Sequence, residues 1–252
     1  MQQLSNHLPS KTMRKAVGDR FDCPEHGDVP GPICMECTAE QDRVRERAEA
    51  QAERKRSRNK LLVKALGHSG IPERFMRRGF DTYTITHSKQ QEVFDLAKEY
   101  ALNFKTYRKE GKGLVFLGTT GTGKNHLAMS IAKQVIRDGY TAVYSTVLDI
   151  AQHIRESYRS GSDDSDRQVI ALYANSDLLV LDEVGVQMGN ESERVFITSI
   201  INKRYEQMKP TIVISNLAPV KLAEALDERV MSRLRETTDM LKFEWEDYRA
   251  RS

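Results

Sequence analysis

The segment Gly118-Thr-Thr-Gly-Thr-Gly-Lys-Asn125 packs three glycines, a lysine and an amide into eight residues. Glycines let a backbone curl until successive N–H groups face one anion, and a lysine ending the curl adds a full positive charge. Gly118, Thr119, Thr120, Gly121, Thr122, Gly123 and Lys124 therefore read as a cradle for the phosphates of ATP, with His126 counted beside them. Asn125 stands where Ser or Thr usually offers a hydroxyl to Mg²⁺. Its amide oxygen suits the same hard cation. Leu178-Leu-Val-Leu-Asp182-Glu183 ends an apolar run in two carboxylates. Asp182 is expected to hold Mg²⁺ with Asn125, and Glu183 to orient and deprotonate an attacking water. Asn216 closes another apolar run, where an amide would sense the terminal phosphate or that water. The plainer reading is a turn before Leu217-Ala-Pro219. Arg229 and Arg233 lie four apart in Glu228-Arg229-Val-Met-Ser-Arg233-Leu-Arg235 and share a helix face. They read as surface arginines paired with Asp227 or Glu228, or as an arginine finger for a neighbouring subunit's ATP.

A second constellation lies nearer the N-terminus. Cys23-Pro-Glu-His26, seven residues, then Cys34-Met-Glu-Cys37 gives the spacing C-x₂-H-x₇-C-x₂-C. Three cysteines cannot all pair as disulfides. Two short knuckles of soft or borderline ligands suit tetrahedral Zn²⁺. No fifth group suggests an open coordination position, so Cys23, His26, Cys34 and Cys37 read as a structural zinc site. Free thiols beside an unrelated histidine are the alternative.

These groups need elements to position them. The phosphate loop follows the run Leu114–Gly118 and precedes the helical spacing Leu127, Ile131, Val135, the strand–loop–helix context such a loop requires. Five short apolar runs, Leu114–Gly118, Ala142–Thr146, Leu178–Asp182, Ile212–Ser215 and Leu241–Trp245, read as buried parallel strands. Segments 89–108, 125–138, 147–159, 191–208 and 219–235 have helical spacing. This alternation predicts an α/β domain with a five-stranded parallel sheet flanked by helices over residues 67–252. Ahead of it stand a mobile N-terminus (1–20), the zinc module (21–38) and a charged helical linker (39–66). From Arg43 to Lys60 eight Lys or Arg face three Glu, a solvated helix face or a nucleic-acid contact. The net charge of +3 nearly cancels and says little about partners. No apolar run is long enough to cross a membrane, and Met1-Gln-Gln-Leu-Ser-Asn6 lacks the basic start and apolar stretch of a secretory signal. A soluble, cytoplasmic protein with no membrane partner is expected.

Gly118–Ala128 (GTTGTGKNHLA), Leu178–Gln187 (LLVLDEVGVQ) and Glu228–Arg235 (ERVMSRLR) together resemble the AAA+ helicase loaders of the DnaC type. Ser69-Gly-Ile-Pro-Glu-Arg-Phe75 is similar to that family's entry segment, and Lys-Asn-His at 124–126 is itself a feature of the lineage. The resemblance covers about residues 67–250. It implies a P-loop AAA+ ATPase, weak alone, that uses ATP as a switch to place a hexameric replicative helicase of the DnaB type on single-stranded DNA. It also implies assembly into an ATP-bridged oligomer on that helicase, with ATP and Mg²⁺ held by the residues above and Arg229 and Arg233 at the inter-subunit site. The segment Asp149–Arg159 lies where initiator-type relatives carry a DNA-contacting insertion. Arg155, Tyr158 and Arg159 offer charge and a stacking ring there, or simply form an amphipathic surface helix. The zinc module is similar to what other loaders use to grip the helicase. An IstB-type transposition helper shares most motifs, but Asn125, Gly185-Val-Gln187 and the zinc module favour the loader. A non-hydrolysing DNA-binding adaptor would need neither Glu183 nor Arg233.

Overall fold

A computed structural model describes residues 20–31, 33–65, 71–159, 165–185 and 191–248. The expectation for residues 1–20, apart from Arg20, lies outside them, as do Ser69, Gly70, Gln187 and the side chain of Arg159. The chain divides near Arg54 into two compact units. None of the described helices is long and apolar enough to cross a membrane.

In the first unit, strands β1 (Arg20–Cys23) and β2 (Gly27–Pro30) form an antiparallel hairpin; helix α1 (Met35–Ala65) follows and continues past the division. The linker helix thus starts four residues earlier than its composition suggests and takes in Cys37. Its first turn is closed by Thr38 N–H donating to Cys34 O at 3.0 Å. From Thr38 to Arg54 every α1 residue is exposed. Arg43–Glu40 (3.8 Å) and Arg45–Glu49 (3.0 Å) pair along it, each worth only a few tenths of a kcal/mol.

The second unit contains helix α2 (Glu73–Met76), a 3₁₀ turn (Phe80–Thr82), α3 (Ser88–Leu102) and α4 (Phe104–Glu110). Strand β3 (Gly113–Gly118), α5 (Lys124–Arg137), β4 (Ala142–Thr146), α6 (Val147–Arg159), α7 (Ser165–Asn175) and β5 (Leu178–Asp182) follow. The unit closes with α8 (Glu191–Glu206), β6 (Thr211–Ser215), α9 (Pro219–Leu226), α10 (Glu228–Thr237) and β7 (Thr238–Phe243). The sheet is five-stranded and all parallel, in the order β4-β5-β6-β3-β7.

Strand alternation sorts the core into two layers. Leu114, Phe116, Leu178, Val180, Ile212 and Ile214 face α3, α4 and α5. Val115, Leu117, Leu179, Leu181 and Val213 face α6 to α10. Strands buried on both faces explain the unbroken apolar runs.

Three differences from the sequence reading have local causes. The helical segment 89–108 breaks at Asn103, whose backbone lies near the bridge region (φ −101, ψ 19). Segment 219–235 breaks at Asp227, which has φ +79 and uses its carboxylate to cap α10 by accepting Arg229 N–H at 2.7 Å. Helix α7 was not read at all, although Val169, Ile170 and Tyr173 form its buried face.

Arg204 is fully buried. Its guanidinium donates to the carbonyls of Tyr173, Ala174, Ser176 and Pro210 and to Thr211 Oγ1. It thereby caps the C-terminal end of α7 and ties it to the start of β6. Arg204→Met should leave these carbonyls without donors and lower unfolding free energy by about 3–5 kcal/mol, measured by urea denaturation. An unchanged midpoint would show that the carbonyls find water instead.

Candidate active site

The loop Gly118–Asn125 joins the end of β3 to α5, whose first residue is Lys124. Gly121 (φ +76) and Gly123 (φ +92) adopt the left-handed backbone this curl needs. A side chain at Gly121 would strike the Asp247 carboxylate, and one at Gly123 would meet the Tyr83 ring. Three of the loop's carbonyls are tied down, two of them from outside the loop. Trp245 Nε1 donates to Thr122 O (2.9 Å), Tyr248 N–H to Gly121 O (3.1 Å) and Thr122 Oγ1 to Thr119 O (2.9 Å). A trans peptide unit points its N–H opposite to its C=O. Holding the Gly121 and Thr122 carbonyls outward thus turns the Thr122 and Gly123 amides inward. The buried Lys124 ammonium donates to Gly118 O and Thr119 O, both at 2.6 Å. The N-terminus of α5 adds its partial positive charge to this anion site.

The second residue of α5 explains the unusual amide. Asn125 Nδ2 donates to Asp182 Oδ2. A carboxylate accepts, so the amide must present nitrogen to Asp182, which leaves its oxygen for a cation. A Ser or Thr hydroxyl does both jobs through one atom; Asn125 divides them between two. Asp182 is further held by the Tyr144 hydroxyl at Oδ2 (2.7 Å) and by Glu183 N–H at Oδ1 (2.7 Å). Burial, with the adjacent Asp182 charge, pushes the Tyr144 pKa well up, so it remains a proton donor. Glu183 has φ +58, a costly conformation for a residue with a side chain, while Val184 beside it is fully buried. The turn buries the valine and exposes the carboxylate. Partial burial and then the Asp182 charge raise the Glu183 pKa. Exposed Asn216 sits at the tip of β6, the strand between β3 and β5.

A cavity of about 890 Å³ brings these groups together. Thr120 to His126, Asp182, Glu183 and Asn216 line it, with Pro72, Phe75, Arg78 and Tyr83 along another side. His126 lines the cavity and also ties it to the segment preceding α3. Its Nε2 lies 2.8 Å from Gly79 O and 3.3 Å from Thr82 Oγ1, and its ring meets Tyr83 edge-on at 5.2 Å. That ring nitrogen is used on the segment preceding α3, not on the phosphate loop. Desolvation lowers the His126 pKa, which keeps it neutral.

The two arginines of α10 differ. Arg233 donates to Asn202 Oδ1 and stacks over the Tyr205 ring at 4.8 Å, both on α8. Arg229 is exposed. The pairing with Glu228 belongs instead to Arg235 (2.9 Å). On α6, Arg155 is 3.7 Å from Glu193, and Tyr158 is 55% exposed.

In the first unit, Cys23, His26, Cys34 and Cys37 converge, their ligand atoms all within 4.8 Å of one another. His26 Nδ1 lies 3.6, 3.5 and 3.3 Å from the sulfurs of Cys23, Cys34 and Cys37, and Cys23 and Cys37 are 3.5 Å apart. A Zn²⁺ tetrahedron with ordinary bond lengths has edges of about 3.6 Å (N–S) and 3.8 Å (S–S). The other ring nitrogen, Nε2, lies 3.3 Å from the Glu36 carboxylate, the outer-shell partner that orients a zinc-bound imidazole. Cys23 and Cys34 are the buried side chains among those described in this unit, so it has no apolar core beside the cluster. The residues fit structural zinc.

The family described as IstB-like ATP binding protein matches residues 43–252. The chain belongs to this family. The IstB-like chain is 33% identical over 204 residues to a protein of Buchnera aphidicola subsp. Baizongia pistaciae named replicative helicase loader DnaC, covering 81% of this chain and 82% of that one. It is 31% identical over 193 residues to the Escherichia coli K12 protein of the same name, covering 75% and 76%. Among solved structures it is similar to a DnaC helicase loader, with TM-score 0.61, 28% identity, and 68% of this chain and 98% of that one covered. The fold is thus the α/β AAA+ fold expected.

Four residues at the ATP-binding site of this IstB-like chain were not singled out from the sequence. Tyr144 holds Asp182, while Tyr83, Trp245 and Tyr248 line or brace the loop. Trp245 carries the one available signal, as the chain's single tryptophan. The expected strand Leu241–Trp245 absorbed it, but β7 ends at Phe243 and frees the indole.

Proposed function

We propose that this protein loads a hexameric, DnaB-type replicative helicase onto single-stranded DNA during replication initiation, using ATP as its switch. The observation that carries this reading is the 31–33% identity, over three-quarters or more of each chain, to proteins named replicative helicase loader DnaC. ATP seats its phosphates on the inward amides of Thr122 and Gly123 and displaces Lys124 Nζ from the loop carbonyls. Asn125 Oδ1 and Asp182 would hold Mg²⁺, which would shield phosphate charge. Glu183 takes the proton of the attacking water, and Asn216, between the loop and the acids, senses the terminal phosphate. Pro72, Phe75 and Tyr83 offer an apolar, aromatic wall to the base.

Hydrolysis by one chain is weak because no arginine of the cavity wall lies on α10. Arg229 is the exposed member of the pair and reaches a neighbouring subunit in an ATP-bridged oligomer; Arg233 supports it from its seat on α8. Assembly with helicase or single-stranded DNA therefore stimulates turnover. Arg155, Tyr158 and Arg159 of α6 are the DNA contacts. The zinc module grips the helicase, and the protein works in the cytoplasm.

The test is a pull-down with the host's replicative helicase, with and without ATP. Stable capture that changes with ATP is expected. Capture of a transposase in place of the helicase would favour the transposition-helper reading, and no capture of the helicase in either state would overturn the loader reading.

A further inference from the structure

The first three residues of α5 aim in three directions, about 100° apart around the helix. Lys124 reaches the loop carbonyls, Asn125 reaches Asp182, and His126 reaches Gly79 O. Lys133, two turns further along the same face, donates to the carbonyls of Phe75, Met76 and Arg78. Phe75 O also accepts Arg78 N–H at 3.0 Å, so Lys133 adds its bonds to the turn that follows α2. His126 and Lys133 together strap residues 75–82 along α5.

The strapped segment forms a wall of the nucleotide cavity. Phe75, Arg78, Thr82 and Tyr83 line it. Tyr83 packs edge-on to His126, crowds Gly123, and has its hydroxyl 3.5 Å from Thr122 O. The segment contributes no carboxylate to the cavity lining. Its rings suit the flat face of a purine.

We infer that His126 is a positioning residue that joins the phosphate loop to the base-facing wall, so that base recognition depends on it while phosphate binding does not. The inference rests on the nucleotide-site reading and deepens it. The ring nitrogen Nε2 of His126 is engaged by Gly79 O, so its part is to set the distance between the loop and the wall.

The measurement is calorimetric affinity of the full chain for Mg-ATP and for Mg-tripolyphosphate, which has the phosphates without the base. His126→Ala should weaken ATP binding by about 10- to 100-fold and change tripolyphosphate binding less than about twofold. His126→Gln should recover most of the ATP affinity, because its amide nitrogen reaches the same carbonyl. Lys133→Met loosens the same segment away from the loop and should repeat the ATP-selective loss, which keeps the test open if His126→Ala folds poorly. Equal weakening of both ligands, or unchanged ATP affinity in both His126→Ala and Lys133→Met, overturns the inference. A wild-type chain that binds tripolyphosphate no more weakly than ATP also overturns it, since there is then no base recognition to position. A wild-type chain that binds neither ligand overturns the nucleotide-site reading itself.

Discussion

Glu183→Gln is expected to lower ATP turnover on the order of 10²- to 10⁴-fold while leaving ATP affinity nearly unchanged. Among the described residues, two carboxylates line the cavity, Asp182 and Glu183. Asp182 already accepts from Asn125, Tyr144 and the Glu183 amide, which leaves little lone-pair capacity for a water proton. Glu183 is exposed into the cavity by a left-handed backbone. The site accepts that strain, about 1–2 kcal/mol, to turn the carboxylate outward. Glutamine keeps the size and the backbone contact and removes only the base. Lys124→Ala should do the reverse and abolish binding. Turnover is best measured with helicase and single-stranded DNA present, since one chain brings no α10 arginine to its own cavity. Wild-type turnover in Glu183→Gln under those conditions would remove Glu183 as the base. In the same assay Arg229→Ala should cost several powers of ten if it is the finger.

Zinc removal is expected to unfold the hairpin and first turn of α1 while ATP binding persists. Structural zinc in small modules contributes roughly 10–16 kcal/mol of folding free energy. Here nothing described in the unit replaces it: Ile33 and Met35 beside the cluster are 55% and 71% exposed, and the only buried side chains are two of the ligands. Purified protein should carry one zinc per chain. Chelation, or Cys34→Ser, should expose the remaining thiols to alkylation and abolish helicase capture. The nucleotide site belongs to the other compact unit, so ATP affinity should hold. A metal-free chain whose thiols stay protected would sink the zinc assignment.

Much of the site is legible in one dimension because its chemistry is local. The phosphate loop, its lysine and the helix that follows are contiguous, and the four candidate zinc ligands occur in two short knuckles. The five strands are legible because burial on both faces removes polar residues from them. Helix α7 went unread because Val169, Ile170 and Tyr173 are embedded in a polar stretch of only 11 residues. The packing of His126 was not legible for a different reason. Its neighbours in sequence belong to the phosphate loop, but its partner, Gly79, is 47 residues away.

Residue types and spacing by themselves picked out a glycine-rich loop ending in lysine, an acid pair, an amide at a strand tip and a Cys/His cluster that could hold a metal, since each motif needs only neighbouring residues. Strand order was decided by the tertiary structure. By inserting β6 between β3 and β5, the sheet sets Asn216 between the loop and the acids. Tertiary packing likewise decided that Asn125 turns its nitrogen to Asp182, that Tyr144 and Trp245 brace the site, and that Arg233 is held by α8 while Arg229 is exposed. The physical reason is common to all of these. A hydrogen bond between residues tens of positions apart depends on which elements pack together, and that choice is made by the whole core rather than by any one segment.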